Sequence, residues 1–231
     1  MHQISNYVYA SDELLQMEIP TARLPNPYHD FPYMVIKGVL TPQECHAITL
    51  SAFNDEQAVS AQLRGLSLDT EIRKTNIHTL SPKHRTMYDS RYESHKTDIE
   101  EFFALSLTSS TDVQVLEYES GSFYLKHSDD SSELRNSEGT TIGFRTVAPE
   151  RKLTSIVFTT SHTLHPADMD HFSGGELLFN YLSDAEGNTI TYLPQAGDMV
   201  VFASNPYFSH EVLRVQKGFR LSLVQWHNAL L

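Results

Sequence analysis

The chain has 231 residues, 40% of them hydrophobic and 20% charged, and its formal net charge is −12. This composition predicts a globular protein with one well-buried core, and the negative charge argues against nucleic-acid backbones and anionic membrane surfaces as partners. Cys45 is the only cysteine, which excludes an internal disulfide. No apolar run reaches the roughly 18 residues that cross a bilayer, and the first residues lack a secretory pattern, so we expect a cytoplasmic protein.

The beginning of the chain predicts an arm. Residues 1–30 are rich in proline, and a short helix is expected at 12–17. A short strand is predicted at 33–36, whereas residues 54–86 show no clear helix or strand pattern.

Two amphipathic helices are predicted in the first half of the chain. The first begins at Thr41, where Pro42 in the first turn and Glu44 three residues after the cap complete a helix-start pattern. Its expected buried face contains Cys45, Ile48 and Ala52, with Phe53 beside them. The second helix is expected over 97–107, with a buried stripe of Ile99, Phe102, Phe103 and Leu107.

From residue 112 onward the pattern changes to short strands separated by Gly, Pro, Asn and Asp. The strands are expected near residues 112–119, 122–127, 151–160, 175–181, 189–193, 198–203, 208–215 and 219–227. Eight short strands after two helices predict a mainly β fold, a double-stranded β-helix or jelly roll of cupin type, backed by two or three N-terminal helices. Two long loops, 130–149 and 161–173, are expected to act as lids or binding loops.

We therefore expect a single domain over residues 1–231. Its three parts are an N-terminal arm at 1–30, a helical support region at 31–111 and the jelly-roll core at 112–231, which carries the candidate site.

A possible metal-binding pair ends the second predicted strand. His127 and Asp129 are two residues apart, so both side chains point to the same side of a strand and can reach one ion. The His-x-Asp pair alone is not specific, and it needs a third ligand. Two histidines and one carboxylate on one face form the ligand set of non-haem Fe(II) oxygenases.

His210 is the candidate third ligand, and Arg220 is a candidate anion-binding residue on the last strand. An inward-facing arginine in a jelly-roll core would be a costly unpaired charge unless a carboxylate binds it in bidentate fashion. Ser222 would point to the same side and could add a hydroxyl to that carboxylate. Taken alone, Arg220 fits a strand-end ion pair better, but the whole set favours a site.

Taken in order, these motifs resemble the Fe(II)/2-oxoglutarate dioxygenases of the prolyl 4-hydroxylase type, including the bacterial stand-alone hydroxylases. The similar segments are Tyr118 to Asp129, Arg151 to Phe158, Phe172 to Leu177, Pro194 to Phe202, His210-Glu211-Val212 and Arg220 to Leu223. The resemblance covers residues 112–227, and the segment from Ile36 to Ile48 is similar to the strand and helix that precede the core in this family.

The resemblance implies a role for each candidate residue. It implies that Fe(II) binds the catalytic residues His127, Asp129 and His210, that 2-oxoglutarate and O2 are co-substrates, and that ascorbate is a candidate auxiliary reductant. The implied 2-oxoglutarate-binding residues are Arg220, Tyr118 and Ser222, and the implied substrate-binding residues are Tyr124, Arg151 and Trp226. Some relatives have a tyrosine hydroxyl on the far carboxylate where this chain has Phe158, so that contact is either missing here or supplied by another group, such as Thr154.

The resemblance implies hydroxylation of an unactivated C–H bond, with succinate and CO2 as co-products. Halogenating relatives replace the ligand carboxylate by a small residue, and this chain keeps Asp129. Desaturation or cyclisation with the same cofactors remains an alternative, as do a cupin-like metal-binding or sensing module without turnover and a purely structural jelly roll. The expected substrate is a prolyl residue or another small-molecule or peptidyl amino acid. The sequence does not indicate an oligomeric state.

A second group of histidines lies in the predicted loop 161–173. Its members are His162, His165 and His171, with Asp168 and Asp170 beside them. Their spacing matches no regular metal site, so we interpret the group as a solvated loop in preference to a second metal site.

Overall fold

The computed structural model describes residues 1–20, 29–54, 59–60 and 73–230, with only the backbone described at 59–60. The helices in these ranges are α1 (Asp12–Leu15), α2 (Pro42–Phe53), α3 (Pro82–Glu93) and α4 (Lys96–Phe103), with a short 3₁₀ turn at Pro206–Phe208. The strands before residue 112 are β1 (His2–Gln3), β2 (Tyr9–Ala10), β3 (Met34–Ile36), β4 (Val59–Ser60), β5 (Arg73–Lys74), β6 (Asn76–His78) and β7 (Ser106–Ser110).

The later strands supply most of the core. They are β8 (Gln114–Tyr118), β9 (Phe123–His127), β10 (Ser131–Arg135), β11 (Thr141–Thr146), β12 (Leu153–Phe158), β13 (Ser161–His162), β14 (His171–Gly174), β15 (Leu177–Ser183), β16 (Thr189–Tyr192), β17 (Met199–Ala203), β18 (His210–Val212), β19 (Val215–Gly218) and β20 (Arg220–Leu230).

Two antiparallel sheets form the body of the fold. The small sheet has the strand order β1-β2-β15-β18-β9-β5, and β16 pairs with β15. The large sheet has the order β3-β17-β12-β20-β8-β6-β4, and β7 pairs with β20. The predicted jelly roll with flanking helices is confirmed. The division into arm, support region and core stays a prediction, although β3 to β7 join the core sheets from the proposed support region.

Helix α2 begins where the sequence predicts. The Thr41 hydroxyl accepts a hydrogen bond from the Glu44 backbone N–H, and the Glu44 carboxylate accepts one from the Thr41 N–H, so the capping box is complete. The helix buries Cys45, Ile48 and Ala52 against the large sheet, but Phe53 is 65% exposed. Phe53 is the last residue of the helix, and its ring makes an edge contact with the ring of Phe219, at a centroid distance of 6.1 Å.

The outer face of the large sheet carries a buried polar network beneath α3. His227 on β20 makes hydrogen bonds through Nε2 to the Ser155 hydroxyl, at 2.8 Å, and through Nδ1 to the Ser110 hydroxyl, at 2.7 Å. The Tyr92 ring stacks on the imidazole with a centroid distance of 4.6 Å. The Tyr88 hydroxyl donates to Gln225 on the same strand face, so α3 is fixed by polar contacts as well as by packing.

Burial of His227 predicts acid sensitivity, because desolvation lowers its pKa to about 3. The unfolded state, with an ordinary histidine pKa near 6.5, binds more protons between about pH 3 and 6.5. The contribution of the neutral, buried His227 to the free energy of unfolding is therefore complete above about pH 6.5. It is lost as the pH falls, by roughly 2 kcal/mol at pH 5. Urea unfolding of wild type and His227→Gln between pH 7 and 5 should show a smaller pH-dependent loss in the variant. Parallel pH profiles would contradict this expectation.

Two helices differ from the prediction. The predicted helix at 97–107 is α4, which ends at Phe103 because Ala104 adopts a left-handed conformation with φ of 50°, and Leu107 lies in strand β7 instead. Helix α3 was not predicted because only Tyr88 and Tyr92 of its twelve residues are buried, so it lacks an apolar stripe. Among the described residues no helix is both long and apolar enough to cross a membrane.

Both predicted long loops contain strands. The segment 130–149 forms the hairpin β10–β11, and 161–173 contains β13 and most of β14, so the prediction of structureless loops is wrong. The predicted strand at 208–215 is divided into β18 and β19, which pair in different sheets.

Candidate metal centre

A β-bulge shapes the small sheet where β9 pairs with β18. His127 lies opposite His210 and Tyr124 lies opposite Val212, so a step of three residues on β9 matches a step of two on β18. The extra residue brings Tyr124 to the same side as His127, and their rings stack with a centroid distance of 3.6 Å and an interplanar angle of 14°. Bulges beside functional sites re-aim side chains in this way.

Three potential metal ligands converge at this bulge. Nε2 of His127 lies 3.9 Å from Oδ1 of Asp129, and Nε2 of His210 lies 3.9 Å from Oδ2. One donor atom from each residue lies within 4.8 Å of the other two, and among the described residues this is the only such group of three. Because β9 and β18 are hydrogen-bonded neighbours, the sheet itself fixes the two imidazoles side by side.

The backbone fixes the orientation of both imidazoles. Nδ1 of His127 lies 2.9 Å from the Leu125 carbonyl oxygen, and Nδ1 of His210 lies 2.8 Å from the Phe208 carbonyl oxygen. A carbonyl only accepts, so each Nδ1 carries the hydrogen and each Nε2 keeps its lone pair. Burial, with His210 nearby, lowers the pKa of His127 to about 3, so its ring is neutral at neutral pH.

Asp129 is held as a carboxylate. Burial acts to raise its pKa, but the imidazoles of His210 and His127 and the Thr154 hydroxyl together hold that pKa below its ordinary value. Thr154 donates to Oδ2 at 2.7 Å, and its hydroxyl lies 2.8 Å from that of Ser204. Two imidazoles and one carboxylate, each oriented by a second hydrogen bond, fit a divalent transition-metal ion.

A buried guanidinium lies on the inner face of the large sheet. Arg220 is 1% exposed, its Nη1 donates to the Ser222 hydroxyl at 3.2 Å, and its Nε is buried without a hydrogen-bond partner. Its Cζ lies 4.9 Å from the ring centroid of Tyr118 and 5.2 Å from that of Phe158. Within the described ranges Arg220 has no ion pair. Burial lowers its pKa to about 10, so it stays charged and fits an incoming carboxylate.

Comparison with known sequences decides the family. The sequence profile of the 2OG-Fe(II) oxygenase superfamily matches residues 113–228, which is half of the chain and contains all the groups just described. The chain belongs to this superfamily. It is therefore a dioxygenase that uses Fe(II), 2-oxoglutarate and O2. No curated protein sequence matches the chain.

Solved prolyl hydroxylases share the fold of this oxygenase. A prolyl-4-hydroxylase from Pseudomonas putida aligns with a TM-score of 0.60 and 22% identity, over 85% of this chain and 91% of that one. A prolyl hydroxylase from Trichoplax adhaerens, in complex with a hypoxia inducible factor peptide, gives 0.58 and 18%, over 85% and 83%. The viral collagen prolyl hydroxylase of Paramecium Bursaria Chlorella virus-1, in a 2OG complex, gives 0.55 and 19%, over 86% and 96%.

The other predicted residues of the oxygenase lie beside the three metal ligands or beside Arg220. Tyr118 lies opposite Arg220 in the β8–β20 ladder. Arg151 donates through Nη1 to the Asp129 carbonyl oxygen at 2.9 Å, and its Cζ lies 3.9 Å from the ring centroid of Trp226. Thr154 does not replace the tyrosine hydroxyl that is absent at Phe158, because its own hydroxyl binds Asp129 instead.

Gly175 lies against the stem of Arg220, although it had no predicted role beyond its place in the similar segment Phe172 to Leu177. Its φ is +66°, and an added Cβ would lie 3.0 Å from Cδ of Arg220 and 2.9 Å from Cγ2 of Val215. A side chain here would therefore displace the stem of the guanidinium. The sequence feature that could have identified Gly175 is the Gly-Gly-Glu segment directly before a strand.

We expect Gly175→Ala to weaken 2-oxoglutarate binding by about 10-fold, because a shift of Arg220 loses charge-assisted hydrogen bonding. Gly187→Ala is the matched control, since Gly187 has a φ of +85° and no atom within 4 Å of an added Cβ. Both variants incur a left-handed backbone cost of about 1 kcal/mol, but only Gly175→Ala should change the KM for 2-oxoglutarate. Equal KM values in the two variants would contradict this role.

The second histidine group is not assembled around one point. His171 pairs with Asp168 at 2.5 Å, His46 pairs with Asp170 at 2.8 Å, and His162 faces Glu176 instead. This loop contains no set of three converging ligands in the described part of the chain.

Proposed function

We propose that this oxygenase hydroxylates an unactivated C–H bond of a prolyl or other amino-acid-type substrate and releases succinate and CO2. In this proposal His127, Asp129 and His210 bind Fe(II). The observation that carries it is the convergence of these three donors, with Arg220 as an unpaired buried cation between the same two sheets. A sensing module without turnover would have no need of this guanidinium.

The chain's own residues would prepare the site for this reaction. Arg220 and Ser222 would bind the far carboxylate of 2-oxoglutarate, and the rings of Tyr118 and Phe158 would exclude water from that ion pair. Thr154 would keep Asp129 oriented and ionised. Bound Fe(II) would supply the activation of O2, which the protein groups cannot perform alone.

Similarity to solved prolyl hydroxylases supports the proposed substrate class. The Trichoplax adhaerens hydroxylase binds a peptide, and the other two structures are also prolyl hydroxylases. We propose that the substrate-facing residues here are Tyr124, Arg151 and Trp226, which lie beside the ligand set.

The decisive experiment combines anaerobic spectroscopy with product mass. Fe(II) and 2-oxoglutarate should together give a visible charge-transfer band, and candidate substrates should perturb it. Turnover should then produce succinate and a product that has gained one oxygen atom. A product that has lost two hydrogens would indicate desaturation or cyclisation. Iron binding without any 2-oxoglutarate-dependent band would contradict the proposal and favour a metal-binding module.

A further inference from the structure

The partly exposed side of the metal centre carries an arginine to which neither the sequence pattern nor the proposed ligand set assigns a role. Arg73 begins β5 and lies opposite Tyr124 in the β5–β9 ladder. Its Cζ lies 4.6 Å from the centroid of the Tyr124 ring, which itself stacks on His127. Its Nε is buried and has no hydrogen-bond partner. The Tyr124 ring therefore positions the guanidinium, whose Nε–H has no acceptor among the described residues.

Arg151 is placed in a similar way on the neighbouring wall. Its guanidinium lies over Trp226, and its one hydrogen bond among the described residues goes to the backbone carbonyl of Asp129. Nε1 of Trp226 is also buried without a partner. A buried donor of Arg73 beside Tyr124 and a buried indole N–H beside Arg151 thus lack partners among the described residues, and unsatisfied buried donors are costly unless a ligand pairs with them.

The two arginines flank the ligand set. Arg73 lies over the Tyr124 ring, which stacks on His127, and Arg151 donates a hydrogen bond to the backbone carbonyl of Asp129. Neither guanidinium has a carboxylate within ion-pair distance in the ranges that the structure describes. Other arginines of this acidic chain do have one: Arg85 pairs with Asp89, and Arg91 pairs with Glu44.

A metal would occupy the carboxylate of Asp129, whose oxygens face the two imidazoles. We propose that the missing partner is a carboxylate of the substrate, bound by Arg73 and Arg151 beside the reacting C–H bond. The substrate is then an amino-acid-type acid, free or at a chain terminus, and not an internal residue of a polypeptide. This inference rests on the proposed function, since the metal centre defines the reacting position.

Matched acids and amides test this assignment. The probes are L-proline, N-acetyl-L-proline and a tripeptide ending in proline, each against its C-terminal primary amide, with the same pairs made for leucine and lysine. Binding to the anaerobic Fe(II)–2-oxoglutarate enzyme is followed by the change in the visible band and by calorimetry. At least one acid should bind about 10- to 100-fold more tightly than its amide, because the amide loses a charge-assisted bidentate contact. The N-acetylated acid and the tripeptide separate a free amino acid from a chain terminus.

The preference should depend on the two arginines. Arg73→Gln and Arg151→Gln should each reduce the acid-to-amide ratio toward one while the affinity for 2-oxoglutarate stays within about 2-fold of wild type. Arg214→Gln is the matched control, because Arg214 also lies over an aromatic ring, that of Phe123, and donates to a backbone carbonyl, that of Gly121. This control should keep the full ratio.

Equal affinities of acids and amides, or a set in which no acid binds, would overturn the inference, as would a ratio that survives both substitutions. Each of these results is read in enzyme that still binds Fe(II) and 2-oxoglutarate, so it leaves the proposed function intact. Loss of that binding in wild-type protein would instead contradict the proposed function.

Discussion

Replacing Asp129 by alanine is expected to lower Fe(II) affinity by more than about 100-fold and to abolish succinate formation. Changes in groups that merely orient metal ligands typically reduce metal affinity 10- to 100-fold, so loss of a ligand should exceed that range. The variant would leave two imidazoles, whose Nδ1 hydrogens are fixed on the Leu125 and Phe208 carbonyls, and no carboxylate to balance the charge of the ion. Calorimetric Fe(II) or Mn(II) titration and a succinate assay measure the two effects.

The control for this variant is Asp168→Ala, which removes a carboxylate that pairs with a histidine but lies in an exposed loop. It should retain metal affinity and turnover within about 2-fold. Circular dichroism should show that Asp129→Ala remains folded, because it loses a single hydrogen bond, from Thr154, worth about 1 kcal/mol. Succinate production at the wild-type rate in Asp129→Ala would remove the basis for the proposed ligand set.

Arg220→Met should raise the KM for 2-oxoglutarate by about 100-fold or more while leaving Fe(II) affinity unchanged. Truncating one partner of a buried, hydrogen-bonded charge pair costs about 2–5 kcal/mol. Without 2-oxoglutarate the wild-type guanidinium is desolvated, as its pKa of about 10 shows, and has no carboxylate partner in the described ranges. Methionine is uncharged, so the variant avoids the cost of burying an unpaired cation. We therefore expect the ligand-free variant to be at least as stable as wild type.

Thermal unfolding with and without 2-oxoglutarate, in the presence of Mn(II), separates these effects. Wild type should be stabilised by the co-substrate, and Arg220→Met should not. Arg214→Met is the control for removing an arginine from an aromatic face, and it should respond as wild type does. A wild-type KM in Arg220→Met would show that 2-oxoglutarate binds elsewhere. Destabilisation of the ligand-free variant would show that Arg220 has a structural role.

Features with a local physical signature were predictable from the sequence. The capping box of Thr41 and Glu44 is defined by three-residue spacing, and it forms as expected. The period of two grouped His127 with Asp129, and the structure brings them together although β9 ends at His127. His210 and Arg220 were candidates from distant segments, to which the resemblance gave roles. Their convergence depends on the pairing of β9 with β18 and of β12 with β20, which a single sequence does not encode locally.

The features that were missed depend on context and not on composition. Helix α4 ends at Phe103 because the next residue, Ala104, is in the left-handed region although it is not a glycine, and no glycine or proline marks the boundary. The hairpin β10–β11 pairs polar strands, so an alternating apolar signal is weak. The contact of Gly175 with the Arg220 stem and the placement of Arg73 over Tyr124 arise only when separate strands meet.

The bulge in β9 makes strand length at this position part of the recognition surface. Successive side chains alternate between faces, so in a regular strand the phenol ring, three residues before His127, would point to the opposite side, and the extra residue of the bulge is what brings both rings together. Exchange of this segment with that of a homologue must therefore conserve the bulge and its number of residues, even where the amino acids differ. Length variation intended to alter selectivity belongs at the hairpin tip near Gly139, where an added Cβ meets no atom within 4 Å.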